Sequence, residues 1–111
     1  METTRQQKVN RLIQRELGSI FQQEGPAISR AMVTVTGVKI TPDLSLARVH
    51  LSIFGLPDKA AELEHIRKHT REIRHILAQR VRQQLRVIPD LEFHQDDSLD
   101  YIENIDRLLD T

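Results

Sequence analysis

The chain has 111 residues, 39% hydrophobic and 29% charged, which predicts one globular domain spanning residues 1–111. It contains no cysteine, which excludes disulfides, thiolate nucleophiles and zinc–thiolate sites. The formal net charge is zero, no apolar run reaches membrane-spanning length, and the first residues lack the apolar core of a signal peptide. We therefore expect a cytoplasmic protein with no membrane partner.

The zero net charge conceals an uneven distribution. Residues 1–89 hold 15 Lys and Arg against 8 Asp and Glu, whereas residues 90–111 hold 1 Arg against 8 Asp and Glu. Such asymmetry points to an anionic partner such as nucleic acid, the alternative being that both signs are ordinary solvated surface.

The first predicted element is a helix over residues 6–23. Apolar side chains at three- and four-residue steps predict its buried face: Val9, Leu12, Ile13, Leu17, Ile20 and Phe21. Basic side chains follow similar spacing on an exposed face: Arg5, Lys8, Arg11 and Arg15. We expect Gly25-Pro26 to end the helix, since proline cannot continue it and glycine suits the exit.

An antiparallel hairpin is predicted next, with strands over residues 31–40 and 45–54 joined by a turn at Thr41-Pro42-Asp43. The apolar alternation of the first strand changes phase at Gly37. That change predicts a β-bulge there, because a residue without Cβ is tolerated in such a position.

A long helical stretch follows, from a predicted cap at Asp58 to about residue 84. Its predicted buried stripe consists of Leu63, Ile66, Ile73, Leu77 and Val81. One straight helix of this length would be unusual in so small a domain, so we expect two helices meeting near residues 69–71.

Pro89 precedes a short predicted strand with Leu91 and Phe93 on one side, and a last helix opens near residues 96–98. The apolar face of that helix is formed by Leu99, Ile102, Ile105, Leu108 and Leu109. The element order predicts an α+β domain in which helices cover one face of a three-stranded sheet.

The second helical stretch is strongly basic. Residues 65–86 contain seven basic side chains against Glu72 alone: Arg67, Lys68, Arg71, Arg74, Arg80, Arg82 and Arg86. Arginine offers a planar fork of donors that matches phosphate oxygens, which favours nucleic acid. The alternative is that these arginines pair with the acidic C-terminal segment, as in a protein-interaction adaptor.

Base-stacking residues are scarce, with one Tyr, three Phe and no Trp. We therefore expect folded RNA to be recognised through its shape and phosphates rather than through splayed bases.

Metal binding and catalysis find little support. His65 and His69 have metal-ligand spacing, but a site needs a third ligand such as Glu62 or Glu72, and nearby arginines repel a cation. The acidic group Asp96, Asp97, Asp100 and Glu103 fits helix capping better than magnesium binding. No nucleophile–base spacing or glycine-rich phosphate loop occurs, so we expect no enzyme, cofactor or metal.

A series of short matches gives the chain its family resemblance. They are Arg5-x-x-Lys8-Val9, Glu16-Leu17, Val33-Thr34-Val35-Thr36-x-Val38, Pro42-Asp43-Leu44, Ala47-x-Val49, Ile73-Arg74, Leu85-Arg86-x-x-Pro89-x-Leu91-x-Phe93, Asp97-Ser98-Leu99 and Ile105-Asp106-x-Leu108-Leu109. In order and spacing the chain resembles the bacterial ribosome-binding factor A family over nearly its whole length.

The resemblance implies a type II KH-like domain, helix-strand-strand-helix-helix-strand, with a C-terminal helix. It also implies a monomeric assembly factor, not an enzyme, that binds 16S rRNA in the immature 30S subunit, supports 5′-end processing of that RNA and aids growth in the cold. One departure is that His69-Thr70-Arg71 stands where the family usually has Ala-x-Gly. The predicted RNA-binding residues are Arg5, Lys8, Arg11, Arg67, Arg71, Arg74, Arg80, Arg82 and Arg86.

Overall fold

The computed structural model describes residues 2–29 and 31–96. Its elements are α1 (Thr4–Ile28), β1 (Met32–Ile40), β2 (Leu46–Phe54), α2 (Lys59–Arg67), α3 (Thr70–Val81) and β3 (Asp90–Gln95). This is the order of a type II KH-like domain, as predicted. The predicted last helix, which begins near residues 96–98, lies outside the described residues apart from Asp96.

Helix α1 begins with a reciprocal cap, in which Thr3 Oγ1 accepts from the Gln6 amide and Gln6 Oε1 accepts from the Thr3 amide. The predicted end at Gly25-Pro26 is wrong, because the helix continues to Ile28. Pro26 lies in the last turn, where it removes a single helical hydrogen bond. Ile28 is only 3% exposed, so its burial in the core favours one more turn of helix.

Strands β1 and β2 pair antiparallel, and their register shifts between Val35 and Gly37. Thr36 is left without a partner in the ladder, which confirms the predicted bulge. The outer edge of β1 is covered by α1 at Ile40. There the Ile40 amide donates to Asn10 Oδ1 at 2.8 Å, and the Ile40 carbonyl accepts from Gln6 Nε2 at 3.3 Å.

The predicted break in the long helical stretch is confirmed. Helix α2 is capped by Asp58, whose carboxylate accepts from the Ala61 amide at 3.0 Å, and it ends at Arg67. At the junction, the Thr70 hydroxyl donates to the Arg67 carbonyl at 2.6 Å, which satisfies one of the carbonyls freed there. Helix α3 ends at Val81, earlier than predicted.

The sheet order is β1-β2-β3, with β3 parallel to β2. The core lies between the sheet and the helices, and its centre includes Ile13, Leu17, Val49, Leu51, Ile73, Leu77 and Phe93. Phe21 of α1 contacts Phe93 of β3 edge to face, with ring centroids 6.1 Å apart. Because α1 and α3 bury their apolar stripes here, their basic residues are left at the domain's periphery.

Candidate nucleic-acid interface

The first cationic row lies on α1. Burial of Val9 and Ile13 against the sheet leaves Arg5, Lys8 and Arg11 exposed at successive helical turns. Among the residues that the structure describes, none forms a hydrogen bond or ion pair with these three side chains. Their charges are therefore available to an external anion.

The second cationic row follows α3. Arg71 and Arg82 are eleven positions apart, about three turns at 3.6 residues per turn, so they share one face of the helix. Arg86 follows in the loop before β3. All three are exposed, and within residues 2–29 and 31–96 they have no bonded partner. We call the six side chains of both rows the cationic surface: Arg5, Lys8, Arg11, Arg71, Arg82 and Arg86.

Two other predicted arginines, Arg67 of α2 and Arg74 of α3, donate hydrogen bonds to backbone carbonyls in or just before β3. Arg67 donates from Nε and Nη2 to the Phe93 carbonyl, at 3.1 and 2.7 Å, and it pairs with Glu64. Arg74 donates from Nε to the Pro89 carbonyl at 3.1 Å and from Nη2 to the Ile88 carbonyl at 2.8 Å. These guanidinium groups satisfy two backbone carbonyls just before β3 and one in the middle of that strand.

Arg80 joins α3 to α1. It donates to Ser19 Oγ at 3.0 Å and to Gln23 Oε1, and it lies 3.7 Å from Glu16 Oε2. Its side chain is 25% exposed. We call Arg67, Arg74 and Arg80 the bonded arginines, because their donors are engaged within the domain.

The nine predicted side chains thus fall into two groups with different surroundings. The cationic surface has donors to offer a phosphate, whereas the bonded arginines would have to exchange an internal partner for an external one. Helical spacing alone did not distinguish the groups, since it says nothing of which carbonyl of another element lies within reach.

The structure brings two residues of the cationic surface together across a groove. Arg5 at the start of α1 and Arg86 before β3 line the same depression, with Leu44 and Val87 beside them. The sequence interpretation did not select Leu44 or Val87 as functional. The sequence offered one indication of this groove, because Val87 is an apolar residue that belongs to no helical or strand pattern.

A carboxylate lies at the edge of this groove. Asp43 Oδ1 accepts from Thr41 Oγ1 at 2.7 Å, from Ser45 Oγ at 2.8 Å and from the Ser45 amide at 3.1 Å. The hydroxyl of Thr41, then the hydroxyl and amide of Ser45, lower the pKa of Asp43. The carboxylate is thus occupied in holding the β1–β2 turn.

The histidine pair at the end of α2 has a local structural explanation. The rings of His65 and His69 are 5.0 Å apart, and His69 Nδ1 lies 3.0 Å from the His65 carbonyl oxygen. In the described part of the chain, no group of three or more His, Asp or Glu side chains is placed to hold a metal ion. Asp96 accepts from the Thr36 hydroxyl at 2.6 Å, and Asp97, Asp100 and Glu103 lie outside that part.

None of the described helices combines the length and apolar character needed to cross a membrane.

The helix-strand-strand-helix-helix-strand order and the cationic rows on two helices define a small KH-like domain with a surface suited to polyanions. The chain belongs to the ribosome-binding factor A family, whose family model matches residues 5–109.

Curated relatives and solved structures agree with this assignment. Ribosome-binding factor A of Flavobacterium psychrophilum is 49% identical over 98% of this chain and 85% of its own. The protein of that name from Cytophaga hutchinsonii is 43% identical over 98% of this chain and 83% of its own.

Two Thermus thermophilus structures share the fold. The crystal structure of ribosome-binding factor A from that organism has a TM-score of 0.69 and 23% identity, and covers 81% of this chain and 94% of that one. A homology model of the Thermus factor, fitted into a cryo-EM map of its complex with the 30S subunit, has a TM-score of 0.62 and 27% identity. It covers 78% of this chain and 89% of that one.

Proposed function

We propose that this protein binds 16S rRNA in the immature 30S ribosomal subunit and acts in the late maturation of that subunit. The observation that carries the proposal is the cationic surface, whose six side chains have no described internal partner. Membership of the ribosome-binding factor A family supports it, as does the relative fitted into a 30S complex.

We further propose how the protein acts on the subunit. It works as a single-domain monomer in the cytoplasm, by binding rather than by catalysis. It supports processing of the 5′ end of the 16S precursor, and its loss slows growth in the cold. Phosphate contacts dominate its affinity, because arginine and lysine at the surface release counterions from RNA on binding.

Sedimentation of cell extract tests the central claim. The tagged protein should travel with precursors of the small subunit, and the double variant Arg71→Glu, Arg82→Glu should remain at the top of the gradient. The control is Lys39→Glu on β1, an exposed cation outside the two cationic rows. A wild-type protein that does not travel with small-subunit precursors would contradict the proposal.

The same variants separate this function from that of a protein-interaction adaptor. The bonded arginines give the adaptor some support, because their donors are used internally. In an adaptor, reversing Arg71 and Arg82 should leave association with RNA unchanged while circular dichroism shows an intact fold. Arg80 is unsuitable for this test, since its reversal would also break the bonds to Ser19 and Gln23.

A further inference from the structure

A groove of about 360 Å³ lies where the start of α1, the β1–β2 turn and the loop before β3 meet. Its lining is mostly aliphatic, with cations beside it: Arg5, Val9, Ile40, Pro42, Asp43, Leu44, Leu85, Arg86, Val87 and Pro89. Val9 and Ile40 are buried and close its floor, since they also belong to the core. The groove therefore has a fixed base and a charged rim.

Val87 is the residue of this groove that packing within the domain explains least. It is 69% exposed, one of two large apolar residues so exposed in the described part of the chain. An exposed aliphatic side chain beside a concave apolar surface enlarges the area that a ligand can cover.

Leu44 is held in an unfavourable backbone conformation at the same place. Its φ is +62°, in the left-handed region that glycine adopts readily and a branched side chain does not. The surrounding turn imposes this conformation through the Asp43 carboxylate and a bond of 2.8 Å from the Leu44 amide to the Thr41 carbonyl. A leucine in a position suited to glycine places an aliphatic wall in the groove, and strain of this kind is frequent at ligand sites.

The charges at the rim favour an anionic ligand. Arg5 and Arg86 lie at the groove without a described partner, so two positive charges stand against the single carboxylate of Asp43, whose Oδ1 already accepts hydrogen bonds from Thr41 and Ser45. Lys8 lies one turn beyond Arg5, and Arg82 lies four residues before Arg86, so positive charge continues away from the groove along both helices. This arrangement suits a chain of phosphates that enters and leaves the groove, rather than a single carboxylate.

We propose that the groove binds one unstacked nucleotide of RNA, its base or ribose against Leu44 and Val87 and its flanking phosphates on Arg5 and Arg86. The proposal rests on the function proposed above and names a part of its RNA site. The groove's volume of about 360 Å³ falls within the range of small-ligand pockets. Unstacked bases pack against apolar side chains and guanidinium planes as well as against aromatic rings, so the shortage of aromatic residues is no obstacle.

The test compares a short single-stranded RNA with a duplex of the same sequence, using fluorescence anisotropy and the full chain. Val87→Ser and Leu44→Gly should each weaken single-strand binding by roughly 3- to 10-fold, leaving duplex binding and the salt slope unchanged, because they remove base contacts. Arg86→Gln should lower the log–log salt slope on single strands by about 0.7, since it removes a phosphate contact.

Two controls keep loss of folding apart from loss of binding. Met32→Ser removes the other exposed large apolar residue, on β1 and outside this groove, and should leave RNA binding unchanged. Leu44→Gly fits the left-handed conformation of its position, so it should preserve the fold while it removes the wall of the groove. The proposal would be overturned if Val87→Ser and Leu44→Gly weakened duplex and single-strand binding equally. It would also be overturned if neither variant weakened single-strand binding.

A photo-crosslinker identifies the occupant of the groove in the assembled complex. Benzoylphenylalanine in place of Val87, with the protein bound to purified small subunits, should crosslink to 16S rRNA. Crosslinks to ribosomal protein alone would refute the nucleotide site and leave the proposed function standing. Failure of the wild-type protein to bind subunits would instead refute the proposed function.

Discussion

The role of each predicted arginine in this domain depends on whether its guanidinium group reaches a hydrogen-bond acceptor on another element. Arg71 and Arg74 are the same residue type and lie three positions apart on α3, so the sequence alone does not distinguish them. Arg74 reaches the carbonyls of Ile88 and Pro89, whereas Arg71 is exposed with no described partner. Since a hydrogen bond to a charged donor is stronger than a neutral one, the two residues should differ in their contribution to folding.

We expect Arg74→Gln to lower the free energy of unfolding by about 1–2 kcal/mol, because it leaves two carbonyls next to β3 without their donors. The matched change Arg71→Gln should alter that free energy by less than about 0.5 kcal/mol and weaken RNA binding instead. Urea unfolding followed by circular dichroism measures both. Equal destabilisation by the two variants would contradict the structural role given to Arg74.

The turn at Asp43 should make stability depend on pH. Bonds from Thr41 and Ser45 lower the pKa of Asp43 below its ordinary value of 3.8, so the unfolded chain binds this proton more readily than the folded one. The stabilisation is complete above that ordinary value and is lost as pH falls through the lower, folded value. Asp43→Asn removes this titration, so the stability difference between wild type and variant should shrink on going from about pH 6 to about pH 2.5. Urea titrations at both pH values test this, and a difference independent of pH would exclude the carboxylate as its cause.

At the scale of elements, glycine in a helix and glycine in a loop should respond oppositely to the same substitution. Gly18 lies within α1, and a Cβ there would meet no atom within 4 Å outside the helix's own backbone. Gly18→Ala should therefore stabilise the protein by roughly 0.5–1 kcal/mol through helix propensity. Gly55 has a φ of +98°, so Gly55→Ala should destabilise it by about 1 kcal/mol or more despite equally open space. Thermal melts of the two variants should shift in opposite directions, and a shift of both to lower temperature would show that α1 requires glycine.

The elements that the sequence predicted well are those whose signal is local. The change of phase at Gly37 predicted the bulge, and the length of the helical stretch after Asp58 predicted the break between α2 and α3. The end of α1, which the sequence predicted wrongly, is determined by contacts with residues far away in the chain. Ser29, just beyond that end, donates to Glu62 of α2 at 2.8 Å, and neither this bond nor the burial of Ile28 has a local signature.

The candidate site follows the same distinction. Periodicity predicted that the basic residues of α1 would be exposed, and Arg5, Lys8 and Arg11 are. The groove between Arg5 and Arg86 could not be predicted, because it is formed by the turn at Leu44, the start of α1 and the loop at Val87, which are far apart in sequence. The strain at Leu44 is likewise a product of the folded turn.

At the scale of the whole molecule, the layered fold explains how a chain of zero net charge presents a positive surface. Apolar stripes of α1 and α3 are buried against one face of the sheet, so the basic residues between those stripes are left outside. The acidic residue Glu92 lies on β3, at the opposite edge of the sheet from β1. Glu92 pairs with Arg48 of β2 and bonds His94, and the bond to His94 is the main cause of its lowered pKa. In the described part of the chain, therefore, Glu92 has partners on the sheet, whereas the cations of α1 and α3 that form the cationic surface have none.

The salt dependence of RNA binding measures how many of these cations reach phosphates. Contacts from four to six residues of the cationic surface should give a log–log slope of roughly −3 to −5 for affinity against salt. Arg71→Gln should reduce its magnitude by about 0.7–0.9, because one counterion fewer is released. Arg74→Gln should leave the slope unchanged, since the donors of Arg74 are already engaged by the carbonyls of Ile88 and Pro89. Equal slope changes for the two variants would mean that Arg74 exchanges its carbonyls for phosphate on binding, and a flat response in the wild type would exclude phosphate-dominated recognition.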